Sequence, residues 1–174
     1  MDAFARARRM MVDGQLRTND VMNPYLLAAF EDVPRERFVP PEKAAIAYLD
    51  CDLEVLAAAE SEPARYLLKP VVVGRLIETA AVKETDRVLD IGCATGYSTA
   101  ILARIAKSVT ALEEEPTLAA AATANLAVLK VANATVVTGP LADGAAGDAR
   151  FDVTLINGAV EDVPPAILAQ LAGD

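Results

Sequence analysis

Beyond residue 86 the chain alternates short aliphatic runs with helix-forming ones, and few folds accept that pattern. Arg87-Val88-Leu89-Asp90-Ile91-Gly92 reads as a strand and Tyr97 to Ala106 as a helix. Ser108-Val109-Thr110-Ala111-Leu112-Glu113 is a second strand, followed by an Ala-rich helix through Leu129. Thr135-Val136-Val137-Thr138 and Phe151-Asp152-Val153-Thr154-Leu155-Ile156 complete the series. Strands that alternate with helices pair in parallel through right-handed crossovers, so the expected class is α/β, a parallel sheet with helices on both faces. The chain is 53% hydrophobic and has no Trp, which suits such a buried sheet and excludes disorder.

Residues 1–86 read differently, as a mostly helical region packing on the core at 87–174, the two forming one structural domain. Asn23-Pro24 is a helix start, Asn as cap and Pro as first helical residue, ahead of Tyr25 to Phe30. Val33-Pro34 breaks that helix and Pro40-Pro41 marks a second break, with a short helix after it to about Tyr48. Residues 50–69 carry no clear period, and a further helix is expected from Pro70 through Ala81. The basic start, with Arg6, Arg8 and Arg9, lacks the apolar core of a secretion signal, and no run is long enough for a membrane span. A cytoplasmic location is expected. The net charge of −9 argues against nucleic acid as a partner, because a phosphate backbone needs a basic face. Cys51 and Cys93 have no ligand spacing and the chain has no His, so no metal site is expected.

The site-bearing stretch is Val88-Leu89-Asp90-Ile91-Gly92-Cys93-Ala94-Thr95-Gly96-Tyr97. A strand runs into a glycine-containing loop and a helix begins at once, which offers close backbone approach and unpaired N–H groups. The same sequence also suits an ordinary tight turn. A dinucleotide fingerprint would require Gly at 94 and 97, and a phosphate-binding P-loop would require Gly-Lys-Ser or Gly-Lys-Thr; neither is present. Glu113 closes the second strand, 21 residues beyond Gly92, where an acid can accept both hydroxyls of a ribose. It also opens the run Glu113-Glu114-Glu115, and acids there suit the dipole of the next helix. Both readings stand, Glu113 for ribose and Glu114 and Glu115 for the helix.

The spacing D-x-G-x-x-x-G from Asp90 to Gly96 resembles motif I of class I S-adenosylmethionine-dependent methyltransferases. That resemblance implies a Rossmann-like sheet, S-adenosylmethionine as cofactor, Asp90 near the methionine amino group and the loop Gly92, Cys93, Ala94 and Gly96 along its methionyl end. More specifically, Met11-Val12-Asp13-Gly14-Gln15-Leu16-Arg17, Val33-Pro34-Arg35-Glu36-Arg37-Phe38-Val39-Pro40 and Ala47-Tyr48 resemble the opening of protein-L-isoaspartate O-methyltransferases. Phe151-Asp152, Ala159 and Val163-Pro164 are similar to that family's fourth strand and the turn after it. The resemblance implies transfer of a methyl group to the carboxylate of isoaspartyl residues in damaged proteins or peptides. A carboxylate is ionised at neutral pH, so no general base is demanded.

Three departures shape the expectation. Tyr66-Leu67-Leu68-Lys69-Pro70 stands where the family has Thr-Ile-Ser-Gln-Pro, so Leu68 replaces the Ser beside the reacting carboxylate and no catalytic residue is assigned. Gly139-Pro140-Leu141 replaces the family's Gly-Asp-Gly, which leaves Leu141 as an apolar slot for the adenine and Asp143 at the wrong spacing. The sequence ends at Asp174, where the family continues with three more strands. Truncation, or self-association through the exposed strand at 151–158, is therefore expected. Two alternatives accompany this reading: a methyltransferase for another acceptor such as a small carboxylate, and a non-catalytic protein that keeps the scaffold. A nicotinamide oxidoreductase is disfavoured by the absent Gly at 94.

Overall fold

The computed structural model describes residues 2–59, 63–145, 147 and 150–172. They form two compact units, Met1–Ala81 and Val82–Asp174.

In the first unit, α1 (Ala3–Met11) runs into a π-helical turn at Val12–Leu16 and a 3-10 turn at Arg17–Asn19, which stop at Asp20 in the left-handed region. Helix α2 (Pro24–Asp32) starts as the sequence predicts. The Asn23 side chain accepts from the N–H groups of Tyr25 and Leu26 at 2.9 and 3.3 Å, and Pro24 needs no partner at the first helical position. The helix buries Leu26, Leu27, Ala29 and Phe30 and ends at Val33. Two 3-10 turns follow, Arg35–Phe38 and Pro41–Ile46.

The mostly helical reading of residues 1–86 needs one correction. β1 (Leu53–Leu56) and β2 (Arg65–Leu67) pair antiparallel, Leu53 opposite Leu67, in the stretch where no period is visible. Such short strands, with a register irregularity between Glu54 and Leu56, cannot show an alternation. α3 (Pro70–Ala80) closes the unit and ends on Ala81 at φ 49°.

Arg35 holds these turns together. Its side chain is fully buried, with Nε donating to the Ala47 carbonyl at 2.7 Å and one terminal nitrogen to the Leu68 carbonyl at 2.8 Å. Burying a guanidinium is costly without hydrogen-bond partners, and here two of its nitrogens satisfy loop carbonyls in return. The Val-Pro-Arg-Glu element thus works as a clamp on the segments around residues 47 and 68. Its neighbour Glu36 accepts from the Tyr48 hydroxyl.

The second unit is a parallel sheet of four strands. β3 (Arg87–Ile91), α4 (Tyr97–Leu102), β4 (Ser108–Glu113), α5 (Pro116–Val128), β5 (Ala134–Thr138), β6 (Val153–Ile156) and α6 (Pro165–Leu168) follow in order. The spatial order is β5-β4-β3-β6, so the chain winds outward one way and then crosses to the other side of β3. The central strand β3 is buried from Val88 onward, as expected of a strand covered on both faces. α4 is shorter than predicted: its C-terminal residues turn to i→i+3 bonds at Arg104 and Ile105. The strand predicted from Phe151 begins only at Val153, and Phe151 lies outside β6 in an isolated parallel bridge to Leu171. Leu89, Ile91, Leu112, Ala145, Phe151 and Ile167 form a buried cluster at this end of the unit.

Candidate functional site

Because the strands are parallel, their carboxyl ends lie on one side, and the strand order reverses at β3. Ligands of open α/β sheets bind there. The residues singled out in the sequence gather at that place in the second unit, around the loop 92–96.

The loop is shaped by backbone conformations that L side chains rarely adopt. Gly92, Ala94 and Gly96 have φ of 68°, 49° and 90°. The N–H groups of Gly92 and Cys93 donate to the Leu112 carbonyl at 2.8 and 3.3 Å, and that of Gly96 to the Cys93 carbonyl at 2.8 Å. Gly96 caps α4 and lies against α5, where an added Cβ would come within 3.1 Å of Ala122 Cβ and 3.3 Å of its Cα. A Gly is required there on both counts.

Glu113 is fully buried at the end of β4. Its Oε2 accepts from the Ala94 N–H at 2.8 Å and its Oε1 from the Glu115 N–H at 3.1 Å. The carboxylate therefore fixes the loop and the start of α5 together. Glu115 itself caps α5, accepting from the Thr117 N–H at 3.1 Å.

Asp90 is also fully buried. Its Oδ2 accepts from Ser98 Oγ at 2.8 Å and Thr99 Oγ1 at 2.6 Å, and its Oδ1 from Asn157 Nδ2 at 2.7 Å. Burial pushes the carboxyl above the usual Asp range; the Thr99, Asn157 and Ser98 hydrogen bonds oppose this, and the charge of Glu113 adds a smaller upward push. Ser98, Thr99 and Asn157 were not singled out in the sequence. The one usable signal was the polar pair Ser98-Thr99 in the first turn of a helix that is otherwise apolar. Asn157 comes from a strand end 67 residues away and gave none.

Cys93 is buried, and burial, helped by the charges of Asp90 and Glu113, pushes its thiol up, so it stays protonated and unreactive. Leu141 begins a 3-10 turn and packs against the cluster of Leu89, Ile91 and Leu112. It is thus joined to the site through the residues just ahead of Gly92 and Glu113. Asp143 is exposed, and its backbone carbonyl accepts from the Gln170 side chain. In the first unit, Leu68 lies between β2 and α3, its carbonyl held by Arg35.

The comparisons with known proteins give the family and the fold. Residues 7–173 match the model of the protein-L-isoaspartate(D-aspartate) O-methyltransferase family. The chain belongs to that family. Its members are S-adenosylmethionine-dependent enzymes. A protein-L-isoaspartate O-methyltransferase of Koribacter versatilis is 36% identical over 172 residues, covering 99% of this chain and 75% of the relative. One from Burkholderia thailandensis is 41% identical over 168 residues, covering 96% of this chain and 49% of the relative. The chain therefore spans about half to three quarters of the length of these relatives. Among solved structures, a protein-L-isoaspartate O-methyltransferase superposes with TM-score 0.81 at 24% identity, covering 95% of this chain and 52% of that one. A Plasmodium falciparum protein of the same description, solved with S-adenosyl-L-homocysteine, gives 0.75 at 15% identity, covering 95% and 79%. At those identities the structures establish the fold.

The groups present fit that cofactor. The ionisable side chains around the loop, Asp90 and Glu113, are hydrogen-bond acceptors when ionised. A phosphate would meet two negative charges there, whereas a ligand with an ammonium, a sulfonium and ribose hydroxyls brings the donors and the positive charge such a site lacks.

Proposed function

We propose that this chain binds S-adenosylmethionine at the loop 92–96 and transfers its methyl group to a carboxylate of isoaspartyl residues in proteins or peptides. The observation that carries the reading is the pair of buried acids, Asp90 and Glu113, locked onto a positive-φ loop at the point where the strand order reverses. Family membership supplies the reaction class.

When bound, the cofactor supplies a methyl group on a positively charged sulfur. The chain's own residues position and desolvate. Glu113, which holds the Ala94 and Glu115 N–H groups, also accepts from the ribose hydroxyls. Gly92, Cys93, Ala94 and Gly96 carry the backbone along the methionyl end. Asp90 holds the loop rigid through α4 and β6 and supplies negative potential for the amino group. Leu141 contributes the apolar side of the adenine slot. No proton has to be removed from the acceptor, since a carboxylate is already ionised near neutral pH, so alignment and exclusion of water are the contribution required.

The acceptor side differs from the family pattern. Leu68 has no side-chain donor, and its backbone is fixed by Arg35. That supports a second reading in which the same cofactor chemistry serves another carboxylate. Among the described residues β6 pairs only with β3, and Val160, Val163, Leu168 and Leu171 beyond it are exposed apolar side chains. An edge flanked by apolar residues is a self-association surface, and we place one at residues 153–158, shorter than the 151–158 expected, because Phe151 is buried and bridged to Leu171.

The test is calorimetric titration with S-adenosylmethionine and S-adenosylhomocysteine, repeated on Glu113→Ala, followed by methyl transfer to an isoaspartyl peptide. Micromolar binding that weakens at least tenfold in the variant supports the cofactor site. Binding without transfer to any isoaspartyl peptide removes the substrate assignment, and no binding to the folded chain removes the whole reading. Self-association is checked by light scattering: a monomer whose β6 amides are well protected from exchange counts against it.

A further inference from the structure

Asp90 has the charge expected of a partner for a ligand ammonium, yet it is sealed. Its relative exposure is 0%, and Ser98, Thr99 and Asn157 donate to it. A carboxylate in that position acts on a ligand through whichever of its partners reaches the site.

Asn157 is that partner. The register Ile91 opposite Ile156 places it level with Gly92, the first loop residue, and its N–H donates to the Ile91 carbonyl at 2.9 Å. Its Nδ2 donates twice, to Asp90 Oδ1 at 2.7 Å and to the Ile91 carbonyl at 3.1 Å. The Ile91 carbonyl can only accept, so the amide cannot be turned the other way, and Oδ1 must face away from Asp90. Among the described residues nothing donates to that oxygen, and it is not among the buried unpaired atoms, so it reaches solvent. Donation to a carboxylate polarises an amide and makes its carbonyl oxygen a stronger acceptor.

We propose that Asn157 Oδ1 is the acceptor for the ammonium group of the cofactor, with Asp90 acting behind it as a positioning residue. The inference rests on the proposed cofactor site and adds a contact that neither the loop motif nor its acid supplies. It also assigns a role to the first residue after β6, opposite the loop across β3.

The experiment compares two probes on the full chain: S-adenosylhomocysteine, which carries the amino group, and 5′-methylthioadenosine, which keeps the nucleoside and lacks it. A hydrogen bond to a charged group implies a loss of about 10–100-fold in S-adenosylhomocysteine affinity for Asn157→Ala. Affinity for 5′-methylthioadenosine should change less than about threefold in the same variant, a level below one such hydrogen bond. Equal losses for both probes mean that Asn157 only shapes the loop, and the proposal falls. Unchanged binding of both also overturns it. If Asn157→Ala does not fold by circular dichroism, Asn157→Leu, which keeps the bulk and lacks an acceptor, takes its place under the same criteria. Wild-type chain that binds neither probe overturns the cofactor reading itself, and this inference with it.

Discussion

Gly96→Ala is the sharpest test of the loop, because two separate costs converge on one added carbon. The first is conformational: Gly96 sits at φ 90°, ψ 20°, and a left-handed backbone costs an L residue roughly 1–2 kcal/mol. The second is steric. The new Cβ would lie 3.1 Å from Ala122 Cβ and 3.3 Å from its Cα, and fully buried Ala122 offers helix backbone there, with no flexible side chain to swing aside. Overpacking of this kind costs about 1–3 kcal/mol. The sum is about 2–4 kcal/mol once partial relaxation is allowed. For a chain of this length that lowers the melting temperature by roughly 4–15 °C. Urea denaturation followed by circular dichroism measures it. Gly14→Ala is the control, since an added Cβ there meets nothing within 4 Å, and it should fall within about 1 kcal/mol of wild type. A cycle with Ala122→Gly separates the terms. That substitution alone costs about 1 kcal/mol through helix propensity, and in the double variant it should recover the steric part while the conformational part persists. If Gly96→Ala lies within 0.5 kcal/mol of wild type, a threshold taken from ordinary surface substitutions, the described loop geometry is wrong.

Arg35→Met leaves the Ala47 and Leu68 carbonyls without their donor, and a loss of about 2–4 kcal/mol is expected by urea denaturation. Arg35→Lys should rescue little of it, since one ammonium cannot reproduce the guanidinium fork. Asn23→Ala removes the cap of α2 and should cost about 1 kcal/mol, with faster amide exchange at Tyr25 and Leu26. Asp90 has a raised pKa when folded, so its contribution to stability is fully present below the ordinary Asp range and is lost as pH rises through the raised value. Stability measured from mildly acidic to neutral pH should therefore fall less steeply, or rise more, in Asp90→Asn than in wild type; parallel profiles would refute the burial argument. Asp152 behaves oppositely: the Arg87 N–H and guanidinium lower its pKa, so its contribution is present above the ordinary Asp range and lost as pH falls. Asp152→Asn should flatten the acid limb of the stability profile.

The parallel sheet was legible because its signal is redundant. Each of β3 to β6 is a short aliphatic run, each helix between them is rich in strong helix formers, and the handedness of the crossovers leaves little choice of order. The first unit gave a weaker signal. Asn23-Pro24 announced α2, since a cap and a first-turn proline act within three residues. The β1–β2 pair stayed hidden because its stability comes from pairing across residues 57–64, with only seven residues in regular strand. Local pattern cannot report a contact whose partner lies elsewhere along the chain. Arg35 shows the same limit in a single residue. A motif marked it, but only the structure shows a fully buried cation whose partners are backbone carbonyls.

The site divides along the same line, and the division bears on how the acid works. Asp90, the loop and Glu113 lie on consecutive elements, so spacing alone puts them at one end of the sheet. The ring around Asp90 does not follow from spacing, because Asn157 arrives from β6. Without that ring an exposed Asp90 would meet a ligand ammonium directly, in competition with water. With it, the carboxylate is dehydrated by burial and held by three donors, so its charge is fixed in direction but removed from contact. A buried charge costs less when its field has an outlet, and the polarised Asn157 amide is the outlet this geometry supplies. The acid of the motif is then an electrostatic foundation, and the contact with the ligand passes to a residue that no local motif contains.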